Sequence, residues 1–154
     1  MKKAFRILNY VISAEVMIQA AMIAWAVFGE SKYIDDGGVV NKDKVEGDDI
    51  PFDGVYGFII HGLNGAILIP LIGLALLIVA FFAKIPGGVR FAAILFVLII
   101  VQAFVLPILA GGAPFLGMLH GINALAILGM SIYGGRMGAE AVSATTAPTA
   151  PTTA

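Results

Sequence analysis

Apolar residues run almost uninterrupted through four stretches of this chain, at 5–28, 55–83, 90–110 and 114–133. Each supplies the roughly 20 residues that cross about 30 Å of hydrocarbon as a helix rising 1.5 Å per residue. Between the second and third lies only Lys84-Ile85-Pro86-Gly87-Gly88-Val89, and between the third and fourth only Gly111-Gly112-Ala113. Links this short make sequence neighbours antiparallel spatial neighbours, so the pattern predicts an up-down-up-down four-helix bundle with the first and third helices diagonal, and likewise the second and fourth. Pro70 and Pro107 fall inside spans and predict a bend near each. Past Arg136 the chain turns to alanine, threonine and proline, which predicts a disordered tail over 137–154 behind a transmembrane domain over 1–136.

Composition agrees with an all-α integral membrane protein. The chain is 60% hydrophobic and 12% charged, with mean hydropathy +0.98, more apolar surface than a domain of this size can hide from its surroundings. Charges are segregated. Lys2, Lys3 and Arg6 precede the first span, Lys84 and Arg90 flank the second link, and Arg136 follows the last, whereas the loop 29–54 carries Asp35, Asp36, Asp43, Glu46, Asp48, Asp49 and Asp53. The bias of lysine and arginine toward the cytoplasm puts both termini inside and the acidic loop outside. Trp25 and Tyr56 then fall at outer ends and Tyr10 and Tyr133 toward inner ones, as an interfacial aromatic belt requires. No basic patch suggests nucleic acid as a partner. The absence of cysteine excludes disulfides, thiolate metal sites, iron–sulfur clusters and covalent c-type haem.

Met1-Lys2-Lys3 before an apolar run ending Ala24-Trp25-Ala26 has the look of a secretory leader, but an internal echo argues that it is retained. Ile18-Gln19-Ala20 in the first span resembles Val101-Gln102-Ala103 in the third, and His61-Gly62-Leu63-Asn64 in the second matches His120-Gly121-Ile122-Asn123 in the fourth. The two matches together suggest a duplicated helical hairpin.

These are the only two histidines in the chain. Titratable groups inside a bilayer are costly and mark function by default. His61 stands eight residues after Asp53 and His120 eight after Gly112, which places both about 12 Å below the outer boundary. Two imidazoles at one depth on diagonal helices can grip a porphyrin iron from both faces. Gly57, Gly62 and Gly65 around His61, and Gly117 and Gly121 around His120, remove bulk where a flat macrocycle enters. The carbonyls of Gly57 and Leu116, one turn back, are the expected acceptors for the remaining ring nitrogens. Asn64 and Asn123 are assigned to hydrogen bonds that orient the ligands or join helices beneath the cofactor. Gln19 and Gln102 complete the lining of the site, chiefly as structural groups. Zinc or copper suits the site less, since no cysteine or carboxylate stands beside either histidine on its helix.

The expectation is therefore one b-type haem per chain, held by His61 and His120 near the outer leaflet, with no catalytic residue. Two strong-field ligands suit electron transfer or redox sensing better than stand-alone catalysis, and imply a quinone, a redox protein or a larger respiratory assembly as partner, besides the lipid bilayer. Two other readings stand beside it. A cofactor-free structural or assembly subunit would use the same histidines and asparagines to join helices. A transporter or proton pathway would run through Glu15, whose first-order reading is a structural hydrogen bond. Met118 and Met130 read as core residues.

The stretch from Val101-Gln102-Ala103 to Leu119-His120-Gly121-Ile122-Asn123-Ala124 resembles the closing segment of a family of small bacterial four-helix membrane proteins that also carry a histidine on helix two; the resemblance implies the bacterial cytoplasmic membrane and no known activity. Histidines on helices two and four are also similar to one four-helix half of haem A synthase, where such a pair binds b-type haem. That pattern has a glutamate one turn before its first histidine, where this chain has Gly57 and Phe58, so the haem-oxidising chemistry is not implied.

Overall fold

The computed structural model describes residues 1–41 and 51–146. Four long helices account for almost all of them, and no strand occurs among the described residues: α1 (Lys2–Asp35), α2 (Val55–Ala83), α3 (Gly88–Gly112) and α4 (Gly117–Thr146), the last entered through a 3-10 turn at Pro114–Leu116. All four are long and apolar enough to cross a membrane. Their exposed side chains include Phe28, Phe81, Phe82 and Ile108.

Two elements run further than hydropathy predicts. α1 passes the expected boundary at Phe28 and ends only where Gly37 takes a left-handed φ of +90°, the usual glycine stop. Nothing in Glu30-Ser31-Lys32-Tyr33 opposes a helix, and Lys32 reaches Asp36 at 2.8 Å one turn on. Hydropathy marks the edge of an apolar span, whereas backbone chemistry marks the end of a helix. The same reason corrects the tail. Residues 137–146, expected to be disordered, continue α4, because alanine favours the helix and Gly138 lets this turn lie against the Arg6 backbone. The remainder of that tail, 147–154, lies outside the described residues, as do Asp43, Glu46, Asp48 and Asp49 of the acidic loop.

The bundle closes as a ring of antiparallel neighbours. α1 lies against α2, with Gly29 beside Gly54 at one end and Phe5 in the same cluster as Ile85 at the other. It lies against α4 through Asn9 beside Gly134 and a Ser13–Ser131 hydrogen bond of 2.7 Å. α3 completes the ring between α2 and α4, leaving α1 diagonal to α3 and α2 to α4. The α2–α3 link is turned by Lys84 and Gly87, at φ of 53° and 72°, and pinned by the buried side chain of Ile85.

Burial is uneven along the bundle axis. In the basal half, at the start of α1, Phe5, Ile12, Leu76, Leu95, Ile99 and Ile127 form one cluster with at most 2% exposure each. In the other half no residue is buried over 58–68 of α2 or 117–126 of α4. α2 is fastened there by Gly57, at a point where a Cβ would sit 2.5 Å from the Met22 carbonyl oxygen and 2.9 Å from the Ala26 nitrogen.

The prolines act through the hydrogen-bond ladder. A π-helical turn, Asn64–Leu68 in α2 and Val101–Val105 in α3, comes just before Pro70 and Pro107. Ile69 N–H reaches back to the Asn64 carbonyl and Leu106 N–H to the Val101 carbonyl, five residues each. Proline removes a donor and crowds the carbonyl one turn back, and a widened turn relieves the conflict. Each widened turn also rotates the residues on its two sides relative to one another.

Gly57→Val is expected to destabilise the bundle by roughly 1–3 kcal/mol, because backbone cannot retreat from the added methyls. Gly62→Ala, where nothing lies within 4 Å of the added carbon, is expected to be neutral or to stabilise by at most about 1 kcal/mol. Denaturant unfolding in detergent followed by circular dichroism compares the two.

Candidate functional site

Two copies of one hydrogen-bonded unit carry the histidines. On α3 and α4, the Gln102 amide donates to the His120 carbonyl at 3.1 Å and accepts from the Asn123 amide at 2.8 Å. Asn123 also donates to the Leu98 carbonyl at 3.0 Å. On α1 and α2, with the Gln19 amide oriented to meet its neighbours' donors and acceptors, its nitrogen donates to the His61 carbonyl at 3.0 Å and its oxygen accepts from Asn64 at 2.9 Å. In each unit a glutamine on the preceding helix spans a histidine carbonyl and the asparagine three residues later. Spacing in the sequence repeats as hydrogen-bond geometry.

The Gln19 unit goes further. Its amide oxygen also accepts from the Gly65 N–H at 3.2 Å, a donor inside the widened turn of α2. His61 C=O and Gly65 N–H are i, i+4 groups that an unbroken α-helix pairs with each other. Here both meet the glutamine, so the side chain of one helix is set into the ladder of the next. Asn64 in addition donates to the Glu15 carboxylate at 2.8 Å, which gives Glu15 the structural bond expected of it.

The histidine rings meet. Their centroids lie 6.1 Å apart with the planes inclined by 50°, from the two helices that share no side of the bundle. Two nitrogen–metal bonds of roughly 2 Å, with about 1 Å from each nitrogen to its ring centre, span about 6 Å. Among the described residues no third histidine, cysteine, aspartate or glutamate joins them in a metal-ligating group. The donor set is two imidazoles, which suits an ion whose remaining positions a macrocycle fills and falls short of the four donors zinc takes.

His61 Nδ1 lies 3.2 Å from the Gln19 carbonyl oxygen and 2.7 Å from the Gln19 amide nitrogen. With its proton on Nδ1 the ring donates to the carbonyl; with Nδ1 bare it accepts from the amide. Ligation through Nε2 requires the first form, for which the Gln19 carbonyl is the acceptor, whereas the amide orientation described above matches the second. That carbonyl belongs to the neighbouring helix, not to Gly57 one turn back as expected, since carbonyls within a helix are already engaged by the ladder. For His120, the expected bond to the Leu116 carbonyl is likewise absent, and no hydrogen bond reaches its ring among the described residues.

The glycines divide. Gly62 and Gly121 are open, with nothing within 4 Å of an added Cβ, and Gly117 meets only Ala110, at 3.9 Å. A Cβ at Gly65 would meet the Gln19 amide group at 3.5 Å. Gly57, expected to make room for a cofactor, instead serves the helix crossing, because α1 occupies the space beside it. Met118, read as a core residue, is 67% exposed, whereas Met130 does pack against the core. Two surface grooves of about 430 and 440 Å³ lie elsewhere, beside Arg6 and Tyr10 and beside Trp25 and Tyr33; neither includes a histidine.

Sequence reasoning missed the buried polar contact in the basal half. Asn9 donates to the Phe5 carbonyl at 2.9 Å, and Ser13 meets Ser131. Its signal was present: Asn9 and Ser13 stand four apart in an apolar span, on one helix face.

No protein-family model matches the chain, and comparison with the curated proteins and with the solved structures found no match.

The amide bridge is expected to be energetically coupled. A double-mutant cycle of Gln102→Leu and Asn123→Leu should return about 0.6–1.7 kcal/mol, the range for interhelical hydrogen bonds in membrane bundles. Additive losses in unfolding free energy would remove the bridge from the account of the fold.

Proposed function

We propose that this chain is a membrane cytochrome that holds one b-type haem between His61 and His120, for electron transfer or redox sensing. The observation that carries the reading is the 6.1 Å approach of the only two histidine rings from helices diagonal in the bundle. Haem supplies reversible one-electron chemistry at iron when bound. The chain supplies two imidazoles, an acceptor for the His61 Nδ1 proton, open glycines at 62 and 121, and an apolar surround. The architectural likeness to half of haem A synthase points the same way.

In this reading the four helices cross the bacterial cytoplasmic membrane with both termini inside, following the lysines and arginines. The histidines then lie toward the outer leaflet. A single centre near one face does not conduct across the bilayer, so a quinone, a redox protein or a larger respiratory assembly is the partner. The repeated glutamine–histidine–asparagine unit supports descent from a duplicated hairpin.

One observation favours a second reading. The two amide units satisfy most of their own polar groups without a cofactor, and imidazoles in plain contact also settle at ring separations of about 4.5–7 Å. A structural subunit of a membrane complex would need no more.

An absorption spectrum of the protein purified in detergent decides between them. A sharp Soret band with resolved reduced α and β bands, with this two-imidazole spectrum lost in both His61→Ala and His120→Ala, is the expected result. A colourless protein that keeps its helical circular dichroism, even after incubation with haemin, would replace the cytochrome with the structural subunit.

A further inference from the structure

The two histidines are not held alike. The ring of His61 has two Gln19 groups within reach of Nδ1, the carbonyl oxygen at 3.2 Å and the amide nitrogen at 2.7 Å, and bonds one or the other according to where its proton sits. Its helix turn is fastened to α1 at Gly57, and its asparagine is tied on to Glu15. The ring of His120 has no hydrogen bond among the described residues; only its backbone is held, by Gln102. Its segment starts from a short 3-10 turn and makes no close glycine crossing of the kind Gly57 makes, Gly117 meeting only Ala110 at 3.9 Å.

An outer hydrogen bond fixes the orientation of a ligating imidazole and raises its basicity, and its loss typically weakens metal binding 10- to 100-fold. With its proton on Nδ1, His61 has the Gln19 carbonyl as the acceptor for such a bond, and no group among the described residues offers one to the His120 ring.

We infer that His61 is the fixed ligand and His120 the exchangeable one, so that the site takes a small neutral diatomic ligand, of the class of carbon monoxide or nitric oxide, in place of the His120 imidazole. The inference rests on the haem reading above. With haem held by His61, such an exchange would balance without an oxidant or reductant: the His120 imidazole would leave neutral with its own proton, and the lone pair of the incoming diatomic would take the place of the imidazole's. Gly117 and Gly121 leave room for the displaced ring. The result is a centre able to report a dissolved gas as well as an electron.

The test uses the full chain in detergent, loaded with haem and reduced, with carbon monoxide as the probe. A Soret band recorded before any gas is added tests the haem reading by itself, and its absence sinks both proposals at that step. With the band present, carbon monoxide is expected to shift the wild-type spectrum to that of a carbonyl complex. His120→Gly should keep haem and take up the gas at least about 10-fold faster, whereas His61→Gly should lose about 10-fold or more in haem affinity. If either glycine variant loses helical circular dichroism, His120→Met and His61→Met, which keep bulk at the position, carry the comparison, and the expected order of carbon monoxide uptake is the same. A wild-type spectrum that saturating carbon monoxide leaves unchanged overturns the inference while leaving the cytochrome intact. Equal haem loss and equal gas uptake in the two histidine variants overturns it as well.

Discussion

A primary amide laid across a helix boundary is the contact on which the histidine half of this bundle depends. In an apolar setting a backbone carbonyl that leaves its ladder has no water to turn to, and a glutamine on the adjoining helix supplies both the donor and the acceptor that such a turn lacks. Gln19 does this for the turn that bears His61, and Gln102 donates to the His120 carbonyl within a continuous α-helix. Because no residue is buried over 58–68 of α2 or 117–126 of α4, these amides and the Gly57 crossing position that half, where side-chain burial positions the other.

The bundle thus divides its tasks along its length. The basal half is a conventional core, with Phe5, Ile12, Leu76, Leu95 and Ile127 fully or almost fully buried and glycines at 134, 135 and 138 bringing α4 close to α1. Close approach through small residues is the main source of helix association when lipid is as apolar as the side chains. The π turns stand between the two halves in α2 and α3. Each lets the histidine half take a rotation different from that of the core it stands on.

That separation is what a two-ligand centre requires. Rings on diagonal helices must leave a gap that a flat group can enter, and a tightly interdigitated core would close it. The asymmetry between an anchored His61 and an unanchored His120 arises within an otherwise repeated unit. On the α1–α2 side the glutamine enters the widened turn of the histidine helix itself, and on the α3–α4 side the widened turn lies on the glutamine helix. A duplicated pattern of residues therefore yields two environments of unequal stiffness.

Much of this was legible in the chain. Runs of apolar residues determined four helices, since a backbone with few polar neighbours must satisfy itself, and the two short links determined which helices adjoin. The repeated His-Gly-x-Asn and the paired glutamines marked the site because polar groups are costly among such residues. Helix ends at Asp35 and Thr146 were not legible from hydropathy, which is silent about where a polar sequence stops being helical. Neither was the partner of His61 Nδ1, nor the use of Gly57 as a crossing point. Those depend on which neighbouring helix arrives at a given turn, and a widened turn upstream of each proline shifts the faces by an amount that counting residues does not reveal. Tertiary structure alone decided that the two rings meet and that only one of them is tied down.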